Sequence, residues 1–270
     1  MFDDVFMAES KNRKYIYGYC SDKGNYRQIN EDAVTIKYIE VDKHEVLFAA
    51  VCDGMGGWTK GEYASFSVIN EFNDWFDKRV EQQIMNNPEE DILALLADDI
   101  EEIILRQNKS IFQYGQEKRI RLGTTLTAML LVDNEYCVVQ IGDSRAYLMK
   151  QELIQLTKDQ SLIEEEIQKG IISREEAKQD KRRNIILQCI GAKEHVKPVF
   201  TIGTVDRDIS YFLCSDGFVH KLEEKELARL MAPKNINNVK HAKDILERGI
   251  QTVKERGEKD NISVVFVKVN

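Results

Sequence analysis

The apolar positions of this chain follow two rhythms. Short runs rich in β-branched and aromatic residues, KYIYGYC, AVTIKYI, EVLFAAVC, TTLTAMLLV, EYCVVQIG, RAYLM, SYFLCS and ISVVFVKV, predict strands. A helical period instead governs Ala64, Val68, Phe72, Phe76, Val80 and Ile84, and then Ile92, Leu96, Ile103, Ile111 and Phe112. Pro88, after two asparagines, reads as the break between two long helices. Because the strands come in groups and the helices as an inserted pair, the pattern favours antiparallel sheets covered by helices over a βαβ repeat, and the class is α+β.

From Asp159 to Asn184 the chain turns strongly charged, and Ser161-x-x-Glu164 and Ser173-x-x-Glu176 both fit the capping box of a short helix. A small, exposed helical insertion is expected there. No internal repeat, low-complexity tract or Pro/Gly/Ser linker interrupts the 270 residues, so residues 1–270 are expected to form one domain.

Composition narrows the function classes. Apolar residues at 43% and charged residues at 31% describe a globular protein with a real core, not a disordered chain. A formal charge of -8 argues against nucleic acid as a partner, since polyanion binding rests on clustered Lys and Arg. Cys20, Cys52, Cys137, Cys189 and Cys214 lack metal-ligand spacing and read as reduced core residues. The N-terminal stretch carries acids where a signal peptide needs basic residues, and no run approaches the ~20 apolar residues that span a bilayer. The expectation is a cytoplasmic protein with no membrane partner.

The chemistry lies where strands end. Asp53, Asp143, Asp216 and Asp260 each abut a strongly apolar run, and three of them are followed by Gly or Ser. One Asp-Gly after a strand reads as a turn. Four acids at strand boundaries read differently, because sheet ends that meet in space would gather charges that repel unless a cation sits among them. Carboxylates with no Cys pair and no His nearby suit Mg²⁺ or Mn²⁺ better than Zn²⁺, since the four histidines, His44, His195, His220 and His241, fall outside these stretches. Two such ions can lower the pKa of a shared water and deliver hydroxide to phosphorus. Glycines after Asp53 would let bare backbone approach the ions. Arg27, close to Glu31 and Asp32, supplies a fork that could grip two phosphate oxygens, although taken alone it reads first as a surface residue paired to Glu31.

In chain order these features resemble the metal-dependent PPM, or PP2C-type, serine/threonine protein phosphatases in their compact bacterial form. The motifs are RQINEDA (27–33), DGMGG (53–57), LGTTLTAML (122–130), IGDSRAYLM (141–149), LTKDQSLI (156–163), CSDGF (214–218) and DNISVVFV (260–267). The resemblance implies an α-β-β-α sandwich, two packed antiparallel sheets flanked by helices, with a metal centre at one end. It implies that Asp53 bridges two Mn²⁺ or Mg²⁺ ions, that the Gly54 carbonyl joins the first, and that Asp216 and Asp260 hold the second. Asp32, helped by Glu31, would act on the cluster through waters. Arg27 would clamp the phosphate, and Asp143 with Asp216 would form a weaker third site. Residues 156–192 would be a flap beside the substrate groove.

The implied activity is hydrolysis of phosphoserine and phosphothreonine esters by a metal-bound hydroxide. Phosphorylated proteins are the implied substrates, and a cognate Ser/Thr kinase is a further candidate partner. Met55 and Trp58 stand where many relatives carry a histidine proposed as general acid, and Gln160 replaces the histidine usual in the flap motif. These departures motivate the alternative, a phosphatase-like regulatory or phosphoprotein-binding protein with weak or no turnover. A two-metal nuclease shares the ion chemistry but needs a basic groove that the net charge disfavours. LGTTLTAML lacks a P-loop ending and reads as a core strand; Trp75 and Phe76 read as packing, and the charge runs near Glu164, Glu175 and Lys181 as solvated helix faces.

Overall fold

The computed structural model describes residues 2–9, 13–55, 60–177, 180–182 and 184–270. Eleven strands form two wholly antiparallel sheets among these residues. The first contains β1 (Phe2–Glu9), β2 (Lys14–Asp22), β7 (Arg145–Met149), β8 (Leu153–Gln155), β10 (Ile209–Cys214) and β11 (Ile262–Val269), in the order β1-β2-β11-β10-β7-β8. The second contains β3 (Asp32–Val41), β4 (His44–Asp53), β5 (Leu126–Val132), β6 (Glu135–Ile141) and β9 (Val199–Thr204), in that order.

Alternation along each strand sorts its side chains into layers. On β4, Val46, Phe48, Ala50 and Cys52 pack beneath helices, while Leu47, Ala49 and Val51 meet the other sheet. On β10 and β11, Tyr211, Leu213, Val265 and Val267 face the second sheet, whereas Phe212, Val264 and Phe266 face outward under helices. Buried on both faces, these strands read as unbroken apolar runs, which is why they stand out in the sequence.

The second sheet is covered by α1 (Gly61–Trp75), α2 (Glu81–Asn86) and α3 (Ile92–Lys118), and the first by α6 (Asp216–Val219), α7 (Glu224–Leu230) and α8 (Val239–Glu255). The predicted α+β sandwich of two antiparallel sheets between helical layers is the observed architecture. All six residues of the first helical rhythm, from Ala64 to Ile84, are buried. Their strict four-residue spacing would drift by roughly 40° per repeat on an ideal α-helix. A π-helical turn over Phe76–Val80 joins α1 to α2, and its wider winding returns the row to the sheet. The pair of long helices is broken as expected: α2 ends at Asn86, and Asp91 opens α3 by accepting a bond from the Ala94 amide.

Within the insertion, Ser161 caps α4 (Leu162–Gln168) through the Glu164 amide. Ser173 and Glu176 form the reciprocal box at α5 (Arg174–Ala177), Ser173 N donating to Glu176 at 2.8 Å. All five cysteines are buried. Trp75 and Phe76 are core residues, and no helix among the described residues is long and apolar enough to cross a membrane.

Candidate active site

At one end of the sandwich the ladder between β3 and β4 closes on two acids, Asp32 opposite Asp53. Alternation places both on the face that meets the other sheet, as a continuation of Val34 and Ile36 on one strand and Ala49 and Val51 on the other. Like charges in such a position destabilise a sheet unless something compensates. The backbone holds the pair rigidly: Asp53 N donates to Thr125 Oγ1 at 3.0 Å, and its carbonyl accepts from Thr125 N at 2.9 Å and Thr124 Oγ1 at 3.0 Å. Gly54 N then donates to Glu31 O at 3.1 Å. A Cβ on Gly54 would lie 2.5 Å from Glu31 O and 2.6 Å from the Gly61 carbonyl, so only glycine fits. Gly56, Gly57 and Trp58 lie outside the described residues.

The facing sheet supplies the other acids. Ser215 and Ser263 continue the inner faces of β10 and β11; Ser215 Oγ donates to Asp32 Oδ2 at 3.0 Å and accepts from Ser263 N at 3.0 Å. Asp216 follows at the start of α6, and Asp260 precedes β11. The two meet across Gly217, where a Cβ would lie 2.1 Å from Asn261 O and 3.5 Å from Asp260 Cβ. Asn261 ties this corner together, accepting from Glu31 N at 2.9 Å and donating to the Lys23 and Ile29 carbonyls at 3.0 Å each.

Electrostatics record how closely the acids gather. Asp53 is held well above the ordinary carboxylate range, first by burial and then by Asp32, Asp216, Asp260 and Asp143. Asp32 is pushed up to about 7 by burial, with Asp260 and Asp216 adding to the rise and the Ser263 and Ser215 hydroxyls opposing it. Asp143 is raised by burial, then by Asp216 and Asp159. Asp216 is raised by burial and by Asp260 and Glu258, against His220.

Asp32 Oδ1, Asp143 Oδ1 and Asp216 Oδ1 are each buried without a hydrogen-bond partner among the described residues. A buried acceptor left unpaired costs about 1–3 kcal/mol, and more when charged. A hard, oxygen-seeking cation is what this donor set lacks. The cage is not preassembled: among the described residues no three His, Cys, Asp or Glu side chains already surround one cation position. Asp260 is turned instead to Arg27, whose Nη2 lies 2.8 Å from Oδ1 and 2.9 Å from Oδ2. Arg27 stands 3.9 Å from Glu31, so the surface pair considered from sequence is the looser of its two contacts.

Asp143 sits on a turn where Gly142 takes φ 102°, and Gln160 fastens that turn to the insertion. Its Oε1 accepts from Gly142 N at 2.8 Å, its N donates to Gly142 O at 2.9 Å, and its carbonyl accepts from Leu187 N at 2.8 Å. Behind it, Arg145 grips Asp159 with Nη2 to Oδ2 at 2.6 Å and Nε to Oδ1 at 2.9 Å. A cleft of about 540 Å³ opens here, lined among others by Asp143, Arg145, Asp159, Arg174, Asp216 and His220.

The sequence reading kept histidine away from the acids, and the structure corrects it: His220 Nε2 lies 3.5 Å from Asp216 Oδ2, brought round by one turn of α6. Ser215, Ser263 and Asn261 were also missed, although each directly neighbours or follows an acid in the motifs CSDGF and DNIS.

A family model described as protein phosphatase 2C matches residues 25–259. The chain belongs to the protein phosphatase 2C family. It is 30% identical to the protein phosphatase PhpP of Streptococcus pneumoniae over 93% of this chain and 96% of that one. Its fold matches the serine/threonine phosphatase PstP/Ppp of Mycobacterium tuberculosis with a TM-score of 0.77 at 29% identity, over 94% of this chain and 98% of that one. The catalytic domain of PstP, solved in complex with two manganese ions, matches with a TM-score of 0.75, also at 29% identity and over 94% and 98% of the two chains. This protein phosphatase 2C member is therefore an enzyme of the serine/threonine protein phosphatase class, and relatives that carry the name phosphatase do not favour the binding-protein alternative.

Proposed function

We propose that this phosphatase hydrolyses phosphoserine and phosphothreonine esters of proteins at a binuclear Mn²⁺ or Mg²⁺ centre built on Asp53, the Gly54 carbonyl, Asp216 and Asp260. Asp32 and Glu31 serve the centre from behind, and Asp143 with Asp216 forms a weaker third site. The observation that carries this reading is the set of buried, unpartnered oxygens on Asp32, Asp143 and Asp216 at the end where both sheets deliver acids. The two manganese ions of the PstP catalytic domain support the choice of ion.

When bound, the ions supply Lewis-acid stabilisation of charge on phosphorus and a water of lowered pKa. The chain does the rest. Arg27 is within reach of the centre through Asp260 and has a planar fork, so it can leave that carboxylate to hold two phosphate oxygens and orient the ester. The Ser215 hydroxyl holds Asp32 in place, and the Thr124–Thr125 pair fixes Asp53, which limits reorganisation during turnover. Residues 1–270 are read as one phosphatase domain in which 156–192 forms a flap over the cleft beside Asp143, working in the cytoplasm on phosphoproteins set by a cognate kinase.

The test is phosphate release from a phosphothreonine peptide with Mn²⁺ present. Asp216→Asn should lower kcat by at least about 10²-fold, as should excess chelator on the wild type. Activity that survives both treatments would reject the metal reading.

A further inference from the structure

Glu258 was singled out by no motif, yet it occupies an unusual position. Gly257, at φ 75°, ends the last turn of α8 and sends the chain toward Asp260. There Glu258 is 6% exposed. Its Oε1 accepts from the Lys259 amide at 2.7 Å and the Asp260 amide at 3.1 Å, which fixes the loop that presents Asp260. Its Oε2 is buried and has no hydrogen-bond partner among the described residues.

A neutral serine or glutamine could accept the same two amide bonds, so the loop alone does not call for a charge. Glu258 also stands close enough to add to the repulsion on Asp216, which already has Asp260 beside it. An acid buried among acids, with one oxygen bonded to the backbone and the other unpaired, fits a place where positive charge arrives later.

Building on the metal reading above, we propose that Glu258 is an additional carboxylate of the cation centre, its Oε2 serving the divalent ion on the Asp216–Asp260 side. Its two oxygens divide the work: Oε1 positions Asp260, and Oε2 contributes charge. The centre would then hold one more acid on this side than the family motifs name.

The proposal is tested by calorimetric titration of Mn²⁺ into chelator-treated protein, with thermal melting in chelator run alongside. Glu258→Gln keeps an acceptor for both amides and removes the charge. It should bind Mn²⁺ about 10- to 100-fold more weakly than the wild type, and its melting temperature in chelator should equal or exceed the wild-type value. Glu258→Ser should show the same loss of affinity. Mn²⁺ affinity within twofold of wild type in Glu258→Gln, or a loss accompanied by a lower melting temperature in chelator, would overturn it. A wild-type protein that takes up no Mn²⁺ would overturn the metal reading itself, a result distinct from either.

Discussion

Arg27 illustrates how one side chain can serve two opposed tasks. Its guanidinium is about a third exposed and sits on Asp260, 2.8 Å away, where it neutralises an acid that the proposed centre needs for a cation. A cation held by the same carboxylate would be repelled by the guanidinium, and for two unit charges about 4 Å apart the interaction is worth on the order of 1–4 kcal/mol depending on how wet the pair is. Arg27→Ala is therefore expected to act in two directions. Mn²⁺ affinity, read by calorimetry, should tighten roughly 3- to 10-fold as Asp260 is released. KM for a phosphothreonine peptide should rise about 10-fold or more as the fork is lost. A residue that merely paired with Glu31 at the surface would move neither quantity appreciably. Weaker Mn²⁺ binding in the variant would show that Arg27 supports the acids instead of competing for them.

Elements buried on both faces were the readable ones. The runs of β4, β5, β10 and β11 announce themselves because every position meets a core, and α1 and α3 because their apolar rows are long. Of the four edge strands only β3 was readable, as AVTIKYI: β1 interleaves Asp3, Asp4 and Glu9 with its apolar residues, β8 is three residues long, and β9 exposes Val199 and Ile202. The helix α8 was overlooked although Ala242, Ile245, Leu246, Gly249, Ile250 and Val253 line one face behind an Asn238 cap, because the charged residues between them dilute the pattern. Asp53, Asp143, Asp216 and Asp260 were legible as acids at strand boundaries, whereas Asp32, which opens β3, was assigned to the site only through the family resemblance. His220 and Glu258 were not legible, since nothing in the local pattern says that a turn of helix or a left-handed glycine will swing them inward. Gln160 is legible only in three dimensions, as the clasp between the Asp143 turn and the insertion. Gln160→Ala removes the acceptor for Gly142 N, and amide hydrogen exchange across residues 161–177 should accelerate at least about tenfold while β10 remains protected. Unchanged exchange in that segment would mean the clasp does not hold it.

Across the whole molecule, the second sheet delivers Asp32 and Asp53 and the first delivers Asp216 and Asp260, so the interface between the sheets ends in mutual repulsion. This gives stability a pH dependence whose sign depends on metal. The buried acids bind protons more tightly when folded, Asp32 up to about 7, while in the unfolded chain an aspartate titrates near 4. Between those values the folded protein holds more protons than the unfolded one, so its stability is fully present below about 4 and declines as pH rises toward 7. Groups held low by partners, such as Asp22 with Lys254 and Gly24, lose their contribution only on the acid side and do not oppose this trend above about pH 5. In chelator the melting temperature should therefore fall from pH 5 to 7 by at least about 2–4 °C, the equivalent of roughly 1 kcal/mol for a chain of this size. Asp32→Asn should flatten that slope. With Mn²⁺ at a fixed excess the slope should reverse, because ligand carboxylates must be ionised to bind. At a free-ion level 100-fold above its Kd, the ion should add about 2.7 kcal/mol, or roughly 5–10 °C at neutral pH. Parallel slopes with and without Mn²⁺ would mean that the acids at the end of the sandwich do not share a cation, whatever the enzyme does with its substrate.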